Sequence, residues 1–161
     1  MTVFDQVDVI VRNDNAALIR LLKQSEFASR LNMIVSPDTD KGMSASLISG
    51  IKANSNADAW LIGLADMPFI HGSVIASSCA ALESNALITL PTFRGKQGHP
   101  VGFAYNFLSA LLSLRGDKGA REIISSSPDS ITFIDSPDNG ILMDIDTRQE
   151  FRKSHRIKEI L

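Results

Sequence analysis

One cysteine among 161 residues leaves no intrachain disulfide and no cysteine-built zinc site. That residue, Cys79, lies in the apolar stretch 76–82 of an expected helix, so its thiol is read as buried and inert. A basic excess is also missing: 16 Lys and Arg stand against 18 Asp and Glu, a formal charge of −2. Proteins that live on nucleic acid or anionic lipid carry such an excess, so neither is an expected partner. The chain opens without a basic head, and Asp5 and Asp8 interrupt its first apolar residues, which excludes a secretory signal. Long hydrophobic runs are lacking too. The longest stretch free of Asp, Glu, Lys and Arg, residues 97–114, carries Asn106, Ser109 and Ser113 and is broken by Gly and Pro at its start, too short and too polar to span a membrane. The expectation is a cytoplasmic, soluble chain forming a single domain over residues 1–161.

What is present suits a packed domain. Hydrophobic residues make up 44% and charged residues 21%, ordinary globular usage, which excludes a disordered chain. Residues 7–11, Val-Asp-Val-Ile-Val, read as a strand, and Asp14 or Asn15 then caps a helix with Leu18, Ile19, Leu21 and Leu22 at helical spacing. A strand at 31–35 precedes a helix opening at residues 41–46, with Met43, Leu47, Ile48 and Ile51 on one face. Residues 59–64 are apolar throughout, as in a parallel strand covered on both faces, and stop at Asp66-Met67-Pro68. A helix over 74–82 and a strand over 86–90 follow, then a basic, glycine-bearing loop at 92–99 and a strand at 100–104. Helices at 106–114 and 117–126, the second capped by Asp117, lead to strands at 131–134 and 141–145. Thr147 and Glu150 form a capping box for a last helix reaching about residue 158. Strands alternating with helices mean an open, mostly parallel, Rossmann-like α/β sheet with helices on both faces.

Ligands of such sheets bind beyond the carboxyl ends of the strands, which turns attention to the residues just after each strand. Asp66 ends an apolar strand, where a carboxylate can hold Mg²⁺ or can simply cap a turn. Asp144 and Asp146 flank Ile145 at a second strand end and would share one face of a strand. The bland reading has Asp146 favouring the positive end of the final helix. Arg94-Gly95-Lys96-Gln97-Gly98-His99-Pro100 combines cations and glycines suited to a phosphate, with His99 at the loop-to-strand junction; a solvated turn is the plain alternative. His71 and His155 read as surface residues. Gly42-Met43-Ser44-Ala45-Ser46 places hydroxyls and free amides at a helix start, where anions or base edges are accepted.

Gly42-Met43-Ser44-Ala45-Ser46-Leu47, Leu64-Ala65-Asp66-Met67-Pro68, Gly98-His99-Pro100-Val101, Gly116-Asp117-Lys118-Gly119-Ala120-Arg121 and Asp144-Ile145-Asp146-Thr147 stand in the order seen in the molybdenum cofactor cytidylyltransferases. The chain resembles these MobA-like nucleotidyltransferases from Phe4 to about Phe151. The resemblance implies transfer of a nucleoside monophosphate from an NTP, CTP before GTP, to a phosphate-bearing acceptor such as molybdopterin. It implies that Asp66 is a Mg²⁺ ligand and that one of Asp144 and Asp146 lies at the same metal; Asp146 is taken as that ligand. Catalytic roles then fall to Asp66, Asp144 and Asp146. Arg94, Gly98, His99 and Pro100 would line the acceptor pocket, and Gly42, Ser44 and Ser46 would approach the nucleotide. Family members also begin with a strand and a glycine-rich Leu-Ala-Ala-Gly loop that cradles the triphosphate, whereas no glycine precedes Gly42 here. The expectation is therefore a sheet without the family's first strand and a chain with little transferase activity by itself. The alternative is a catalytically inactive remnant that binds a nucleotide, a pterin phosphate or a partner chain. Strand edges left open at 7–11 and 59–64 would be covered by sheet closure or, most simply, by a two-fold homodimer.

Overall fold

The β-branched run near the start folds as β1 (Val7–Arg12), paired in parallel with β2 (Leu31–Ser36), Val7 opposite Leu31 and Arg12 opposite Ser36. The structure is a computed structural model and describes residues 4–37, 42–116, 119–150 and 152. Between these strands runs α1 (Ala16–Gln24). Asn15 caps it, accepting from the Leu18 amide at 3.1 Å, while Asp14, the other candidate, is held by Arg12 at 2.8 Å. After β2, α2 (Met43–Ala53) packs on both strands. Gly50 permits the approach: a Cβ there would stand 2.9 Å from Ile10 Cδ1. The hydroxyls of Ser36 and Ser49 share a 2.8 Å hydrogen bond across the same seam. The apolar face expected on α2 is only partly buried, with Ile51 2% and Met43 55% exposed.

The chain divides into two compact units, the first of Met1–Trp60 and Ala104–Ser130, the second of Leu61–Phe103 and Ile131–Leu161. The first is completed by a 3-10 turn at Tyr105–Phe107, α4 (Leu108–Leu112), which packs on α2, and α5 (Arg121–Ser126). Trp60 stacks on Tyr105 with ring centroids 6.2 Å apart. The helix expected to start at Asp117 begins at Arg121 instead, and Asp117 lies outside the described residues.

The second unit holds a mixed sheet. β3 (Ala59–Ile62) crosses the boundary between the units, and β4 (Ile88–Phe93), β5 (Lys96–Gln97), β6 (Val101–Ala104) and β7 (Ile131–Asp135) follow. The order is β3-β6-β4-β5 with β7 beside β4. β7 runs parallel to β4, whereas β5 and β6 run antiparallel to it, so the sheet is not parallel throughout. α3 (Gly72–Glu83) packs on β4 and β7, and the imidazole of exposed His71 caps it by accepting from the Ser73 amide at 3.3 Å. Val74, Ile88, Leu90, Val101, Phe103 and Ile141 form the core, each 5% exposed or less. Cys79 is half-buried, and burial with the Glu83 charge pushes its thiol up, which keeps it protonated and inert. Among the described residues β1 pairs only with β2 and β3 only with β6, so the α/β sheets are open, as expected.

Two expectations fail. The stretch 92–99 is not one loop: Thr92 and Phe93 belong to β4, and Arg94 and Gly95, at φ 50° and 77°, make the tight turn into β5. Two residues with positive φ match the right-handed twist of a two-stranded hairpin. Nor is 141–145 a strand. Asn139–Leu142 is a 3-10 turn that Asp138 caps by accepting from the Gly140 amide at 2.8 Å. The amide of Ile145 and the carbonyl of Ile141 bond to loops instead of to a strand ladder. The capping box forms: Glu150 accepts from the Thr147 amide at 2.8 Å, and the Glu150 amide donates to the Thr147 hydroxyl at 3.2 Å. Residues 148–150 are helical, and the rest of the expected last helix, with His155, lies outside the described residues.

Candidate active site

β3 delivers the chain to a turn in which the Met67 amide donates to the Leu64 carbonyl at 3.3 Å. Met67, 8% exposed, anchors this turn while Asp66 beside it stays in solvent. The main chain then ties three distant motifs together. The Ile145 amide donates to the Asp66 carbonyl at 2.8 Å. The His99 amide donates to the Ile141 carbonyl at 3.1 Å, and the Gly98 amide to the Pro91 carbonyl at 2.9 Å. Two glycines make these approaches possible. A Cβ on Gly98 would lie 2.2 Å from the Ile141 carbonyl oxygen, and one on Gly140 would lie 2.1 Å from that of Phe69. Asp144 and Asp146, both exposed, thus flank the residue whose amide is fastened to Asp66. The pair was expected to share a strand face; it sits in extended, unpaired chain instead.

His99 precedes Pro100 across a cis peptide bond, and Pro100 itself is buried. Its ring is half-buried, and Nδ1 is wholly buried with no hydrogen-bond partner. Burial holds the imidazole below its ordinary value of 6.5, against the opposing pull of the Ile62 carbonyl and the Asp66 charge. A neutral imidazole with an unused nitrogen can exchange one hydrogen bond with a ligand without bringing a charge. Arg94 stands elsewhere, at the hairpin tip, its guanidinium 5.1 Å from the centroid of the Phe93 ring.

The other expected residues belong to the first unit. Gly42, at φ 97°, precedes α2 without a side-chain cap. The Ser44 amide donates to the Gly116 carbonyl at 3.2 Å, its side chain is 1% exposed, and its hydroxyl has no partner. Ser46 is partly exposed. Among the described residues no three His, Cys, Asp or Glu side chains gather into a metal cage. Mg²⁺ needs no such cage: it takes one or two carboxylates and completes its shell with water and substrate phosphates. Asp66 with Asp144 or Asp146 is a donor set of that kind.

Sequence reasoning missed the residues that fasten the site: Ile62, Phe69, Gly140 and Ile141. Asp138-Asn139-Gly140 carried a readable signal, since Asp, Asn and Gly in series are turn chemistry and not strand chemistry.

An open α/β sheet with carboxylates and a half-buried imidazole in the turns past its strands defines a class of protein that takes ligands at strand ends. The chain belongs to the MobA-like NTP transferase domain family, whose model matches residues 2–131. It is 29% identical over 153 residues to the purine catabolism protein PucB of Bacillus subtilis strain 168, covering 91% of this chain and 74% of that one. The crystal structure of a homologue of Mycobacterium tuberculosis Rv0371c, from Mycobacterium sp. strain JC1, superposes with a TM-score of 0.77 at 25% identity, covering 98% of this chain and 78% of that one. Rv0371c of M. tuberculosis H37Rv, solved in complex with manganese, superposes with a TM-score of 0.65 at 19% identity over 93% of this chain and 77% of that one.

Proposed function

We propose that the chain is a nucleotidyltransferase moving CMP from CTP to a phosphate-bearing acceptor such as molybdopterin. The observation that carries this reading is the backbone fastening of Asp66, His99 and the Asp144–Asp146 segment in one unit. The family model runs over segments of both units, which supports reading them as one transferase domain. Asp66 and Asp146 are the proposed Mg²⁺ ligands, with Asp144 beside them. A divalent ion held there would offset charge on the phosphates during in-line attack at the α-phosphorus. Around it this chain's residues position groups: the turn at Met67 holds Asp66 outward, and His99 offers one neutral hydrogen bond to the acceptor. Arg94 meets acceptor phosphate from the hairpin, and Gly42, Ser44 and Ser46 approach the nucleotide. The acceptor is the open part of the reading, because the similarity to PucB reaches a protein described by purine catabolism and not by molybdopterin. A second copy of the chain is the proposed protein partner. Phe4, Val7, Phe27 and Val35, each at least 37% exposed, give the first unit an apolar surface of the kind that marks association.

Calorimetric titration of CTP in the presence of Mg²⁺ tests the site. Asp66→Asn removes a charge on an exposed residue with little change of shape, so the fold is retained. Binding is expected to weaken by about 100-fold, the scale of losing one preorganised electrostatic partner. Equal binding by both proteins removes Asp66 from the site. Tight Mg²⁺-dependent binding without pyrophosphate release favours the binding-only alternative. Light scattering reads the partner: a mass that stays at 17.5 kDa rejects the homodimer.

A further inference from the structure

In the first unit a cavity of about 380 Å³ runs along one flank of α2. Ser44, Ala45, Ile48, Ser49 and Lys52 line it from the helix, and Leu114, Arg115 and Gly116 close it from the other side. The volume lies within the range of small-molecule sites. Its chemistry is polarised. At one end Ser44 is 1% exposed and its hydroxyl has no hydrogen-bond partner, although such buried groups are almost always satisfied. Ser49 is not in that position, since its hydroxyl donates to the Ala45 carbonyl at 2.9 Å. Eight residues on, roughly 12 Å along the helix, stands Lys52, an exposed cation like Arg115 opposite. Among the described residues neither is in an ion pair. Between the two ends the walls are Ala45, Ile48 and Leu114.

We propose that this cavity binds an organic phosphate monoester. The phosphate lies between Lys52 and Arg115, where two cations without carboxylate partners suit a dianion. The organic body covers Ile48 and Leu114, and a polar edge takes the Ser44 hydroxyl. This is a second site, apart from Asp66, His99 and the Asp144–Asp146 segment.

Calorimetry with 4-nitrophenyl phosphate as the probe tests it. Saturable binding by the intact chain is expected, weakened roughly tenfold by Lys52→Met and again by Arg115→Met, the worth of one charge-assisted contact each. Both residues are exposed, so the variants fold, and both are expected to bind CTP with Mg²⁺ as the parent does. That separates failure of this site from failure of the transferase reading. Ser44→Ala is expected to weaken the probe without lowering the melting temperature, because it removes a hydroxyl that has no partner in the unliganded chain. Three results overturn the proposal: no saturation by low-millimolar probe, displacement of the probe by CTP, or inorganic phosphate binding as tightly as the ester.

Discussion

The two units bury their apolar residues very differently. Of the large hydrophobic side chains that stay exposed, Phe4, Val7, Leu18, Leu21, Phe27, Val35, Met43 and Tyr105 belong to the first unit and only Leu87 and Phe133 to the second. α1 has a clear apolar stripe and buries none of its residues, whereas β4 has Ile88 and Leu90 at 2% exposure or less. β1 and β2 form a two-stranded sheet, a unit marginal by itself, and α2 is the helix packed on both. Amphipathic pattern and burial are therefore separate facts. A stripe specifies which side of a helix can be covered, and only packing decides whether anything covers it.

The sharpest test of this contrast is a pair of truncations. Phe103→Ala removes a ring with no exposed surface and is expected to cost about 3–5 kcal/mol in urea unfolding. Leu21→Ala, at a residue 65% exposed, is expected to stay within about 0.5 kcal/mol. Similar losses at both positions would mean that α1 is covered in solution, and the contrast would collapse.

The next effect concerns the site's own glycines. Gly98→Ala forces a methyl group against the Ile141 carbonyl and is expected to cost about 1–3 kcal/mol. Gly63→Ala is the control, since a Cβ there meets nothing within 4 Å, and it is expected to be neutral. A harmless Gly98→Ala would show that the segment after Gly140 gives way easily and holds Asp144 and Asp146 only loosely.

The smallest effect is the pH dependence carried by His99. Burial lowers its value in the folded chain below the ordinary 6.5, so between those two values the unfolded chain binds the extra proton. Its contribution to stability is full above pH 6.5 and declines as the pH falls into that window. Unfolding midpoints measured from about pH 6.5 down to pH 5, above most carboxylate titration, are expected to fall less steeply in His99→Gln. Identical slopes would show that His99 titrates as freely folded as unfolded.

Much of this was legible in the residues. Asn15, the strand at 31–36, the helix before Glu83 and the Thr147–Glu150 box were readable because each rests on contacts within a few residues. The site's motifs were readable as types and in order. Their assembly was not, because it depends on hydrogen bonds from Ile145 to Asp66 and from His99 to Ile141, between residues far apart in the chain. The apolar run Ile141-Leu142-Met143 imitated a strand because β-propensity records how well a residue suits a half-buried surface, which a core turn provides equally well. Antiparallel β6 escaped notice for a related reason: alternation of strand and helix does not reveal direction where a hairpin intervenes.

The fastening of Asp66 and His99 to the 141–145 segment is made by amides and carbonyls, not by side chains. Main-chain bonds persist when side chains are exchanged, provided the backbone can keep its path. The frame is thus indifferent to what Asp144, Asp146 and His99 carry, and strict only about the glycines at 98 and 140. Such a scaffold lets acceptor preference drift by single substitutions at exposed positions while the spacing of the groups is inherited unchanged. A designer seeking a new acceptor would do well to vary residues 94, 99, 144 and 146 and leave the two glycines alone.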